Sequence, residues 1–180
     1  MNLPNALTLA RIFLVPFIMV FLIASPEPWS YTAGAIFLAA VFTDWLDGRI
    51  ARSTKQVTTV GKLLDPIADK FLISAALISL VQVGRAPAWM VVLIVGRELL
   101  ITGLRSIAAS QGIVIQASEF GKAKMVAEVV AVTLLILDWP PAGPFPISLG
   151  LFALSVAMLL AITSGLDYLR KFLRAIDINQ

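Results

Sequence analysis

Apolar residues fall along this chain in six long runs, roughly 5–24, 29–48, 66–84, 87–108, 121–138 and 146–168, parted by short polar stretches. Each run approaches the ~20 residues that an α-helix needs to cross the hydrocarbon core of a bilayer. The breaks carry turn chemistry, in Ser25-Pro26-Glu27-Pro28, Gly84-Arg85-Ala86-Pro87 and Trp139-Pro140-Pro141-Ala142-Gly143-Pro144. Two longer polar connections occupy 49–62 and 109–120. The pattern predicts an all-α, polytopic membrane protein with six transmembrane helices, forming one domain over residues 1–180. Met1-Asn2-Leu3-Pro4 supplies no basic leader region, so the first run is read as a retained helix with Pro4 in its first turn.

The charged positions sharpen this picture. Only the last run contains a charge-free stretch of spanning length, Ile147 to Leu166. In odd-numbered runs the charges sit near the start (Arg11; Asp65, Asp69, Lys70; Lys122, Lys124), and in even-numbered runs near the end (Asp44, Asp47; Arg97, Glu98, Arg105; Asp167, Arg170, Lys171). Successive spans reverse direction, so these charges collect on one side of the membrane. Every basic residue except Arg85 belongs to that side, which the positive-inside rule makes cytoplasmic. Both termini and both long loops therefore face the cytoplasm of an inner, cytoplasmic membrane. The net charge of +3 is accounted for by topology, and no nucleic-acid partner is expected. Trp29, Trp89 and Trp139 fall near the opposite interface, where amphipathic rings are favoured.

Composition narrows the chemistry. The 180 residues are 59% hydrophobic and 14% charged, with no His and no Cys. Disulfides, a thiolate nucleophile, an imidazole base and a zinc site of the usual kind are excluded. Carboxylates, Lys, Arg, hydroxyls and hard metal ions held by oxygen remain.

Charges at a bilayer boundary are costly to keep, which makes each a functional candidate. Asp44 and Asp47 are three residues apart near the end of the second run, and Asp65 and Asp69 four apart near the start of the third. Each pair shares a helix face, so the four carboxylates can converge at the cytoplasmic end of a bundle. Together they would repel strongly without a cation, and an oxygen-only ligand set selects Mg²⁺ or Mn²⁺. A simple solvated rim paired with Arg49, Arg52, Lys62 and Lys70 explains one Asp better than four at these spacings. Gly48 has no side chain to keep a ligand from the backbone, and Arg52 offers a planar fork suited to phosphate. Gly61 falls in the connecting loop, where alone it means a turn.

Residues 44 to 69 read D-W-L-D-G-R-I-A-R-S-T-K-Q-V-T-T-V-G-K-L-L-D-P-I-A-D. This resembles the signature of the CDP-alcohol phosphatidyltransferases, D-x2-D-G-x2-A-R-x8-G-x3-D-x3-D. Its fixed positions are met by Asp44, Asp47, Gly48, Ala51, Arg52, Gly61, Asp65 and Asp69. Three looser stretches, Pro4 to Arg11, Gly96 to Arg105 and Gly121 to Lys124, are similar to the bacterial phosphatidylglycerophosphate synthase branch of that family.

The resemblance implies six transmembrane helices, a homodimer, and two divalent cations in a cavity open to the cytoplasm. It implies transfer of the phosphatidyl group from CDP-diacylglycerol to sn-glycerol 3-phosphate, giving phosphatidylglycerophosphate and CMP in phospholipid biosynthesis. Asp44, Asp47, Asp65 and Asp69 would then hold the metals, with Asp69 also the general base. Gly48, Ala51, Arg52 and Gly61 would belong to the CDP-diacylglycerol site, with Asn5, Thr8 and Thr58 as further polar contacts. The acceptor phosphate requires cations, and Arg97, Arg105, Lys122 and Lys124 are the candidates; Arg97 and Arg105 lie about two helical turns apart and can share a face. Glu98 and Glu128 are read as partners of these cations, and Gly103 and Ser106 as positions of close helix packing.

Three alternatives fit less of the chain. An uncharged acceptor such as serine does not require several cations, although inositol phosphate or phosphatidylglycerol would keep the family chemistry. An intramembrane prenyltransferase spaces its acids differently and lacks the D-G-x2-A-R continuation. A divalent-cation transporter needs polar residues along the whole path, and here the acids lie at one end.

Overall fold

The computed structural model describes residues 3–24, 31–43, 59–113, 119–137 and 148–177, with backbone alone at 3–8, 59–66, 69, 119, 120, 176 and 177. Among these residues every regular element is helical. The helices are α1 (Leu3–Ile23), α2 (Tyr31–Thr43), α3 (Thr59–Gln82), α4 (Ala88–Ser110), α5 (Glu119–Ile136) and α6 (Leu149–Asp177).

Two helix ends depart from the hydropathy reading. α3 begins at Thr59 rather than near 66, so Gly61 lies inside a helix and not in a loop. α6 runs to Asp177, well past 168. Hydropathy marks where a helix lies in an apolar medium, whereas backbone hydrogen bonding continues as long as side chains can pack or pair. In the last turns of α6, Tyr168 and Phe172 are buried while Lys171 reaches Asp167 at 2.7 Å on the exposed side. The start of α6 is fixed by Ser148, whose Oγ accepts from the Leu151 N–H at 3.2 Å as an N-cap.

The turn expected at Gly84 to Pro87 is present. Gly84 adopts φ +72°, a left-handed conformation that side chains disfavour, and the Arg85 N–H closes onto Leu80 O at 2.9 Å. The same closure ends α4, with Gly112 at φ +73° and the Ile113 N–H bonded to Ala108 O. Arg85 also donates from Nη1 to Ile136 O at 2.8 Å, satisfying a carbonyl in the last turn of α5. The α3–α4 turn and the end of α5 therefore share one end of the bundle, as the alternation of charges requires.

Helix α1 packs along α3 and α5 along α6, while α4 lies against α6 and α3 reaches both α4 and α5. Small residues permit the tightest approaches. A Cβ at Gly150 would stand 2.8 Å from Leu135 Cδ2, and one at Gly34 of α2 would stand 3.3 Å from Leu137 Cδ2. The core joins Val15, Ile18, Phe37, Leu77, Leu80, Ile94, Val132, Ile136 and Leu154.

Outward faces are also apolar. Phe13 is 71% exposed and Val92 68%, and Phe17, Phe42, Phe71, Trp89, Leu99, Val126 and Phe152 are exposed with them. A surface this apolar on every helix is unfavourable in water and suits hydrocarbon. By length and composition α6 alone, over Leu149–Ala175, qualifies outright as a membrane-crossing helix; the other described helices are interrupted by charges or shorter in their apolar part. Among the described residues, Gly103 and Ser106 do not mark close packing between helices of this chain. Both are exposed, a Cβ at Gly103 would meet nothing within 4 Å, and the Ser106 hydroxyl donates back to Thr102 O.

Candidate active site

Six of the charges that the sequence places on one side meet in a cavity of about 260 Å³ among α3, α4 and α5. Its lining includes Lys70 on α3, Arg97, Glu98 and Arg105 on α4, and Lys122, Lys124 and Glu128 on α5. All four acceptor-phosphate candidates are brought together. Arg97 and Arg105 reach the same cavity because their spacing returns each to one face of α4. Five basic side chains against two acidic ones leave a cationic excess suited to an anion.

The cations are not held alike. The Arg97 guanidinium donates from Nε to Ala161 O at 3.2 Å and from Nη2 to Ser164 Oγ at 2.9 Å, both on α6, and from Nη1 to Glu98 Oε1. Its aliphatic stem crosses Gly165, where a Cβ would come within 3.1 Å of Arg97 Cγ. Arg97 is thus braced against α6, with part of its fork left for a ligand. Lys124 is 5% exposed and bridges two carboxylates, Glu98 Oε1 and Glu128 Oε2, the latter at 3.0 Å. Glu98 and Glu128 therefore serve as partners of the cations, as their positions suggest. Arg105 is more open, with its guanidinium carbon 5.8 Å from the centroid of the Tyr168 ring, a stacking geometry that orients the side chain without neutralising it.

Helix α3 carries the link to the acidic motif. Asp65 and Asp69 stand on its backbone four residues apart, hence on one face, and Asp69 is one turn before the cavity-lining Ile73. Carboxylates in this register give all-oxygen donors appropriate to hard divalent ions. Among the described side chains there is no cluster of three or more metal-ligating groups. Asp44, Asp47, Gly48, Ala51, Arg52 and Thr58 lie outside the described residues. Asn5 and Thr8 lie on the first turns of α1, and Gly61 on the first turn of α3.

Four residues were not singled out as site residues from sequence. Lys70 lines the cavity, a role its place next to Asp69 could have suggested. Ser164 and Gly165 on α6 bear no charge, and only the approach of α4 to α6 brings them to Arg97. Arg11, 2% exposed on α1, is a buried cation on the helix that packs along α3.

An apolar-faced helical bundle with a phosphate-suited cavity at one end defines a class, membrane enzymes that handle anionic substrates. The family model for CDP-alcohol phosphatidyltransferase matches residues 1–165, and the chain belongs to that family. It is 44% identical over 183 aligned residues, 94% of each chain, to the CDP-diacylglycerol–glycerol-3-phosphate 3-phosphatidyltransferase of Bacillus subtilis (strain 168). A protein of that name from Pseudomonas fluorescens is 38% identical over 94% of this chain and 89% of its own. The probable phosphatidylglycerophosphate synthase of Mycobacterium tuberculosis (strain CDC 1551 / Oshkosh) is 40% identical over 97% of this chain and 83% of its own.

Proposed function

We propose that this chain transfers the phosphatidyl group of CDP-diacylglycerol to sn-glycerol 3-phosphate, giving phosphatidylglycerophosphate and CMP. The observation that carries this reading is the cavity in which Lys70, Arg97, Arg105, Lys122 and Lys124 converge beside the helix bearing Asp65 and Asp69. An acceptor with its own phosphate dianion needs that excess of cations; an uncharged alcohol does not. The names borne by relatives across nearly the whole chain point to the same pair of substrates.

The lipid donor would lie at the cytoplasmic boundary, its acyl chains in hydrocarbon and its diphosphate at the acidic motif. Asp44, Asp47, Asp65 and Asp69 would hold two divalent cations, Mg²⁺ or Mn²⁺, which when bound offset the charge of the diphosphate. Gly48 and Ala51 leave room for the nucleotide, and Arg52 meets phosphate oxygens. Asn5, Thr8, Thr58 and Gly61 complete the donor site.

Arg105, Lys122, Lys124 and the free part of the Arg97 fork hold the acceptor phosphate. Asp69 takes the proton from the acceptor hydroxyl as its oxygen attacks the phosphorus that bears diacylglycerol. A new P–O bond forms there, the P–O bond to the CMP phosphate breaks, and CMP leaves with that electron pair. In this reading the six helices cross the inner membrane, with both termini and the site on the cytoplasmic side, which their apolar outward faces support, and the active unit would be a homodimer.

The experiment is CMP release from CDP-diacylglycerol by purified protein in detergent, with a panel of alcohols and with or without chelator. Release that depends on glycerol 3-phosphate and is abolished by chelation is expected. Release driven equally by serine or inositol phosphate would replace the acceptor, and pyrophosphate release would replace the reaction.

A further inference from the structure

The two acids of the cavity differ in one respect. Glu98 Oε1 receives both Arg97 Nη1 and Lys124 Nζ, so its charge is matched twice by the protein. Glu128 is 2% exposed and lines the same cavity; its Oε2 meets Lys124, but its Oε1 has no hydrogen-bond partner among the described residues. A buried carboxylate oxygen without a donor is costly and calls for an explanation. Because Glu128 lines the cavity, a modest change in its side-chain torsions on ligand binding would present this oxygen to a donor there.

The acceptor supplies the missing donor. In glycerol 3-phosphate the phosphate goes to the cations, and the reacting hydroxyl must approach the acidic motif at the start of α3. The middle hydroxyl neither reacts nor pairs with a cation, and its proton needs an acceptor. Glu128 stands one helical turn further along α5 than Lys124, beyond the cations at the start of that helix. We propose that Glu128 is a specificity-determining residue that accepts a hydrogen bond from the non-reacting hydroxyl of the acceptor, so that the enzyme selects a vicinal diol phosphate over a simple hydroxyalkyl phosphate. The inference rests on the acceptor reading above.

The test compares glycerol 3-phosphate with 3-hydroxypropyl phosphate, which keeps the phosphate and the reacting hydroxyl but lacks the middle one. The wild-type enzyme is expected to favour glycerol 3-phosphate by about 10- to 100-fold in kcat/KM, the range for a hydrogen bond to a charged group. In Glu128→Gln, the amide oxygen serves Lys124 and an NH₂ faces the ligand, so the preference falls to a few-fold; Glu128→Asp retains more of it. Each preference is a ratio within one preparation, so partial unfolding cancels. A Gln variant that loses activity equally toward both acceptors, with its preference intact, overturns the proposal. If that variant does not fold, the wild-type ratio decides, and equal use of the two acceptors overturns it. Absence of any CMP release with glycerol 3-phosphate in the wild type refutes the functional reading instead.

Discussion

Arg97 of α4 lies across Gly165 of α6, so closely that a Cβ on Gly165 would come within 3.1 Å of Arg97 Cγ, and its guanidinium is received by Ser164 one residue earlier. A helix that contributes no charge to the cavity thereby sets the place of one of its cations. Gly165→Val should displace the arginine and raise the KM for glycerol 3-phosphate by about tenfold, the effect of losing one charge-assisted hydrogen bond. The KM for CDP-diacylglycerol should change little. Two-substrate steady-state kinetics check this.

Lys124 is the shared partner of two carboxylates, the partly buried Glu98 and the buried Glu128. Lys124→Met removes the charge and keeps the bulk, leaving the acids with less compensation. Breaking a buried pair in this way costs about 3–5 kcal/mol. Thermal unfolding in detergent should show a clear fall in midpoint, partly recovered when Glu128→Gln is added, because the second change removes the stranded charge.

Close packing of α5 and α6 gives a paired prediction. At Gly150 a Cβ would stand 2.8 Å from Leu135 Cδ2 and 3.0 Å from the Leu135 backbone nitrogen, which cannot move aside cheaply. Gly150→Ala should destabilise by about 1–3 kcal/mol. At Gly96 the same substitution meets nothing within 4 Å, and removing a helical glycine there should stabilise by up to ~1 kcal/mol. The two thermal midpoints should move in opposite directions.

Asp69→Asn keeps the shape of the side chain and removes the base. CMP release should fall by about 10²- to 10⁴-fold, the range for a general base, with the protein still folded. Turnover within a few-fold of wild type would remove Asp69 from the reaction.

How far the sequence reached depends on which physical signal each feature leaves. Apolar runs locate helices because hydrocarbon-facing and core-facing residues are both apolar, so five of the expected segments overlap α1 and α3 to α6 closely. Helix ends beyond the membrane leave no such signal, which is why α3 starts early and α6 continues to Asp177. The sidedness of Arg97, Arg105, Lys122 and Lys124 was legible as charge, and these residues line one cavity. What charge could not reveal was division of labour. The bracing of Arg97 by Ser164 and Gly165 depends on a contact between helices some 65 residues apart in sequence (the Arg97–Ser164 separation is 67), and small neutral residues advertise nothing. The unpartnered oxygen of Glu128 likewise exists only once α5 is packed into the bundle.

The central claim is that the cation-lined cavity receives the phosphate of the acceptor, separately from the lipid donor. Arg105 offers the cleanest test, since it is exposed, stacks on Tyr168 and, among the described residues, carries no ion pair that its loss would strand. In Arg105→Ala the KM for glycerol 3-phosphate should rise about 10- to 100-fold, while the KM for CDP-diacylglycerol stays within about threefold. An unchanged KM for glycerol 3-phosphate, or an equal rise for both substrates, would contradict the account.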